Sequence, residues 1–145
     1  MLDSASVFDS QEFPRPVPKD KGPAIEYRID GERRVVYVTL AGDITCEALI
    51  ATRDTIAADP AYDRAMAIWI ECRVVTSLPS DSEIRQLALR AVLSHASETH
   101  GRIAIVAMTA RAYEAASRFE LFADAPPERL SVFTDPGAAK AFFSA

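Results

Sequence analysis

Residues 65–83 read AMAIWIECRVVTSLPSDSE: an unbroken apolar run, a charged pair flanking a cysteine, a cluster of hydroxyl residues and a helix start. A second run, RIAIVAM at 102–108, has the same character. A strand buried on both faces loses the alternation of polar and apolar residues. Two such runs, each followed by a helical pattern, therefore predict inner strands of a parallel sheet covered by helices. In open α/β sheets, ligand and regulatory sites gather where such strands end. That rule directs attention to residues 71–83.

The rest of the chain fits the same architecture. Ile25, Tyr27 and Ile29 alternate with polar residues, Asp30-Gly31 supplies a turn, and Val35, Val36, Tyr37, Val38 and Leu40 follow. An antiparallel hairpin with a tight turn is expected there. Thr45 suits an N-cap, with Ile44 and Leu49 in staple positions and Glu47 in the first turn. That helix should end at Asp59-Pro60. Ser80 opens a second helix, and a third is expected from about Ala110 to Phe122. A short strand at residues 130–133 precedes a last helix entered through Pro136-Gly137. The order β-β-α-β-α-β-α-β-α predicts an α/β fold with a small, mixed, mostly parallel sheet of four or five strands. Its edge is the antiparallel N-terminal hairpin, and helices flank it. Residues 1–23 carry Pro14, Pro16, Pro18 and Pro23 and few apolar side chains, so they are expected to form a flexible arm ahead of one domain over 24–145. Phe8 and Phe13 are the residues that would pin this arm to the domain or to a second subunit.

Charge excludes some partners. With 16 basic residues scattered among 21 acidic ones and a net charge of −5, the chain lacks the basic clusters needed for nucleic acid or an anionic membrane surface. No apolar stretch approaches the roughly 20 residues of a membrane span. The acidic, Pro-rich N-terminus does not resemble a signal peptide. Cys46 and Cys72 form no disulfide framework, and a reduced, cytoplasmic protein is expected.

Several residues are candidates for a site. Ser80 and Glu83 have capping-box spacing. Ser77, Ser80 and Ser82 are also phosphosite candidates, because a helix N-terminus favours an added phosphate, although Asp81 and Glu83 oppose it. Glu71 and Arg73, two apart on a strand, share a face and can pair with each other; alternatively Arg73 holds an anionic group in a cleft. Arg118 is a second cation able to reach a strand end. Cys72 has no histidine placed to activate it. His95 and His100 lie five apart, whereas zinc-binding helical pairs are usually about four apart, and no second ligand pair accompanies them. No metal or cofactor is expected. Leu89 and Leu93 widen the apolar arc of the helix opened by Ser80 beyond what one sheet contact needs, which marks them as interface candidates toward another subunit in a homodimer, a lipid-like ligand or the N-terminal arm, with extra core burial as the alternative.

The segments GDIT, DPAYDRAMAIWIECR, GRIAIVAMTARAYEAASRF and VFTDPGAAKAFF, over roughly residues 25–144, resemble the SpoIIAA-like (STAS/SEC14-type) proteins of bacteria. The resemblance implies a small sheet flanked by helices. In the related anti-sigma-factor antagonists, a serine at the start of the helix after the central strand is phosphorylated by a partner kinase. The corresponding candidates here are Ser77, Ser80 and Ser82, without the glycine-containing sequence that surrounds that serine in the antagonists. Glu71 and Arg73 match an acidic residue two before an arginine in the SpoIIAA-like relatives, and the SEC14 likeness implies an apolar ligand cleft. Two functions stand open. One is a non-enzymatic regulatory or protein-interaction module switched at residues 76–82. The other is a binding protein for a small apolar or amphipathic, lipid-like anion. No set of nucleophile, base and orienting group points to an enzyme.

Overall fold

A computed structural model of the chain describes residues 23–95 and 101–144, with residue 23 and residues 91–95 described by their backbone alone. The expectations for Phe8, Phe13, Leu93, His95 and His100 therefore lie outside the described side chains.

The opening hairpin forms one sheet edge. Strands β1 (Pro23–Asp30) and β2 (Val35–Asp43) pair antiparallel, with Ile25 opposite Leu40 and Ile29 opposite Val36. The turn is longer than the tight one expected from Asp30-Gly31. Asp30 Oδ1 accepts hydrogen bonds from the backbone N–H groups of Glu32 (3.1 Å) and Arg33 (3.0 Å), and Arg34 takes the left-handed conformation at φ 59°. An Asx turn on Asp30 thus reverses the chain, and Arg34 rather than Gly31 supplies the positive φ.

Three parallel strands follow, each entered from a capped helix. Helix α1 (Cys46–Ala58) starts at Thr45, whose hydroxyl accepts from the Ala48 N–H at 3.1 Å, and stops before Asp59-Pro60. Strand β3 (Ala67–Ser77) leads to α2 (Asp81–His95) through a complete capping box. Ser80 Oγ accepts from the Glu83 N–H at 3.3 Å, and Glu83 Oε1 accepts from the Ser80 N–H at 2.9 Å. Strand β4 (Ile103–Ala107), helix α3 (Ala110–Ala123), strand β5 (Leu130–Phe133) and helix α4 (Pro136–Ser144) complete the chain. Asp135 caps α4 through the N–H groups of Gly137 and Ala138, both at 3.2 Å. The five-stranded sheet has the order β1-β2-β3-β4-β5, antiparallel only at the first pair.

Strand β3 runs further than the apolar run indicates. Its pairing with β4 ends at Cys72 opposite Ala107, but its pairing with β2 continues to Ser77 opposite Asp43. Register shifts around Gly42, at φ 80°, let β2 follow. Glu71 and Arg73 therefore sit within the strand, and Thr76 and Ser77 belong to a two-stranded extension of the sheet.

The two faces of the sheet are covered differently. Helices α1, α2 and α3 lie on the face formed by Val36, Val38, Leu40, Ile68, Ile70, Cys72, Ile103 and Ile105. Helix α4 alone lies on the other, where Val35, Trp69, Ala104, Val106 and Ala139 are buried among Tyr37, Phe133, Phe142 and Phe143. Gly101 enters β4 so close to the backbone of Met66 that a Cβ would stand 2.3 Å from its carbonyl oxygen, so only glycine fits there. Among the described residues, no helix is long and apolar enough to cross a membrane.

Candidate functional site: a cavity between the sheet and its helices

Two of the three helices on the first face bring buried alanines to the sheet. Ala112 and Ala116 of α3 and Ala88 of α2 are buried there. Methyl groups fill little of the layer between a helix and a sheet, and an interior normally leaves few voids larger than a water. Here a cavity of about 410 Å³ opens between the sheet, α1, α2 and α3. Its walls are Val38, Leu40, Ile68, Ile70, Cys72, Ile103 and Ile105 from the strands, with Leu49, Ile56, Leu87 and Phe119 from the helices. Leu78, Pro79 and Ile84 close the end near the start of α2.

The other end is polar. Thr52 and Arg53 from the last half of α1, and Tyr62 and Arg64 from the α1–β3 connection, also line the cavity. Both arginines are solvent-exposed, so the space reaches the surface between them. Each already makes interactions within the chain, and Arg53 lies 3.7 Å from Asp54. Half-buried Tyr62 feels both charges: burial pushes its phenol up, and the nearby Arg53 and Arg64 pull it back. Two aspartates brace the connection that carries Tyr62 and Arg64. Asp59 accepts from the Ala61 N–H (2.9 Å) and from the Tyr27 hydroxyl (2.8 Å). Asp63 accepts from the Ala65 N–H and from Arg34 Nη2, both at 2.8 Å. These bonds, the backbone one foremost in each case, hold both carboxyls below the usual range.

The residues singled out from sequence lie elsewhere. Glu71 and Arg73 point to the α4 face, where Arg73 Nε donates to Glu71 Oε2 at 2.9 Å and Trp69 Nε1 donates to Glu71 Oε1 at 3.3 Å. Arg118 joins α3 to the start of α2, 3.4 Å from Asp81 and 3.8 Å from Glu114. Ser77 Oγ donates to Asp43, Ser80 is held in its capping box, and Ser82 is exposed. Leu89 is 58% exposed on α2. None of these residues lines the cavity. Cys72 does line it, and its thiol is pushed up to about 11, by burial first and by the Glu71 charge second. Burial likewise raises the Cys46 thiol. Among the described residues, no group of three His, Cys, Asp or Glu side chains is arranged to hold a metal ion.

Sequence reasoning passed over Arg53, Tyr62 and Arg64. Their segment, TRDTIAADPAYDRA, reads as a helix end and a charged connection. Its only signal is Tyr62 between two aspartates that cap backbone, with Arg64 directly after the second.

No family model matches the chain, and no curated protein matches it. Among solved structures, it is similar to an uncharacterized protein of the DUF3478 family, with a SpoIIAA-like fold, from Shewanella loihica PV-4. The two share 17% identity and superpose with a TM-score of 0.51 over 84% of this chain and 94% of that one. That likeness, with the strand order and the helix placement above, shows that this chain has a SpoIIAA-like fold.

Proposed function

We propose that this protein is a non-enzymatic binding module that takes a small amphipathic anion into the cavity between the sheet and helices α1–α3. The observation that carries this reading is the one-sided polarity of that cavity: apolar strand and helix side chains along its length, two arginines and a tyrosine at one end. Ligand sites are typically concave and mostly apolar, with a few polar groups that fix orientation. An apolar cavity of about 150 Å³ already accepts a benzene-sized guest, and this one is larger. The apolar part of the ligand lies along Ile68, Ile70 and Ile105, and its charged end meets Arg53, Arg64 and the Tyr62 hydroxyl.

A switch at residues 76–82 draws less support, because Ser77 and Ser80 already spend their hydroxyls on Asp43 and on the helix cap. Calorimetric titration of the full chain with straight-chain carboxylates and the matching alcohols tests the proposal. The carboxylates should bind, more tightly than the alcohols, and Arg64→Ala should remove the difference. Equal affinity for both series, or no binding of either, would refute it.

A further inference from the structure

The two edges of the sheet are not equivalent. β5 is four residues long, whereas β1 is eight residues long, runs in unbroken register with β2 and has no described strand on its other side. A long, regular edge presents a row of backbone N–H and C=O groups ready to pair with another strand. Proteins usually blunt such an edge with bulges, inward charges or an internal proline. Here the proline is confined to the first position, Pro23. The charges along the edge are of both signs: Glu26, Arg28 and Asp30 alternate on the α4 face, while Ile25, Tyr27 and Ile29 are half-buried on the cavity face.

That pattern is self-complementary in one register. From these observations we infer that β1 pairs antiparallel with β1 of a second copy of this chain, about a two-fold axis through Tyr27. Isologous pairing about a two-fold requires a patch to match itself. Centred on Tyr27, the pairing sets Glu26 opposite Arg28 of the second copy, Arg28 opposite its Glu26, and Ile25 opposite its Ile29. Centring on Glu26 instead opposes two glutamates. Centring on Arg28 opposes two arginines and sets Glu26 against Asp30. Opposite charges directly across a strand pair stabilise it, and like charges destabilise it.

The cavity face adds a second feature. Tyr27, held to Asp59 at 2.8 Å, borders a shallow surface depression that runs to Ala58 and Pro60 at the end of α1. The two-fold sets the Tyr27 side chains of the two copies side by side and joins their depressions into one groove. The resulting ten-stranded sheet is continuous, with both binding cavities on one side of it. This pairing is independent of what the cavity binds.

Sedimentation equilibrium of the full chain tests the inference. The wild type should show twice the 15.8 kDa chain mass. Glu26→Arg and Arg28→Glu each set like charges across the axis and should weaken the dimer by about tenfold or more. The double variant E26R/R28E, and an equimolar mixture of the two single variants, should both recover the dimer mass, because each restores opposite charges at every pair. Circular dichroism confirms that each exposed-site variant is folded. A monomeric wild type, a dimer indifferent to the single substitutions, or a swap and a mixture that fail to recover it would each overturn the inference.

Discussion

The two faces of the sheet are made from similar apolar strands, yet one is closed and the other is hollow. On the α4 face, Ala104 and Ala139 are fully buried and let the helix approach, while the rings of Tyr37, Trp69, Phe133, Phe142 and Phe143 fill the remaining volume. Their centroids are 5.4–6.3 Å apart and their planes inclined, the spacing at which aromatic pairs attract. Arg102 fastens the helix from below, donating to the Phe142 carbonyl at 2.6 Å. On the opposite face, alanines of α2 and α3 also meet the strands, and although Leu49, Tyr62, Phe119 and Phe122 pack against that core, about 410 Å³ stays open. Small residues on a helix therefore have opposite consequences according to what stands beside them. Beside the contacting rings of the α4 face they permit close packing; on the cavity face they leave room for a guest.

The largest effect expected from this contrast is at the closed face. Trp69→Ala should cost about 3–5 kcal/mol, the usual penalty for emptying a packed aromatic site, read as a lower urea midpoint at unchanged slope. A loss below about 1 kcal/mol would mean that the α4 face is as loosely filled as the other.

A matched pair of enlargements comes next. Ala139→Leu, into the closed face, should destabilise by about 1–3 kcal/mol through overpacking. Ala116→Leu projects into the cavity and should leave stability unchanged or raised while abolishing carboxylate binding. Thermal melts and titrations of the two variants decide the matter, and equal losses of stability would erase the distinction between the faces.

The cavity-lining thiol gives a chemical measure of the same contrast. With its pKa pushed up to about 11, Cys72 holds roughly 100-fold less thiolate at pH 8 than an ordinary cysteine. Iodoacetamide should label it slowly by that factor in the native protein, as read by peptide mass spectrometry, and more slowly still with a carboxylate bound. Labelling at the rate of a free thiol would show that the cavity wall is open to water.

The smallest effect concerns acid. Asp59 and Asp63 have folded-state pKa values below their unfolded ones, so their contribution is complete above about pH 4 and is lost as pH falls through the lower, folded values. Hydrogen exchange across residues 59–66 should therefore quicken on acidification before the sheet amides do. Uniform quickening would show that these carboxylates do not brace the cavity mouth separately from the fold.

Much of the architecture was legible because it is written in local pattern. The runs at 66–70 and 103–107, the caps at Thr45 and Ser80, and the alternation in β1 each follow from one short segment. Where local signals misled, a neighbour had overruled them. β3 continues to Ser77 because β2 bends at Gly42 to accompany it, and the hairpin turn widens because the Asp30 carboxylate captures two backbone N–H groups. The strand-end rule pointed to residues 71–83, yet the polar end of the cavity lies at the opposite end of β3 and β4.

By itself, then, the sequence determined the order and type of the elements, the caps that bound them and the self-complementary charges along β1, since these depend on residues close together in the chain. Only the tertiary structure decided that Glu71 and Arg73 face α4, and that Arg53, Tyr62 and Arg64 meet at one mouth. It also decided that helices α1, α2 and α3 leave a cavity against the sheet. A void is a property of volumes contributed by six separate strands and helices, and no single segment records the space that the others fail to fill.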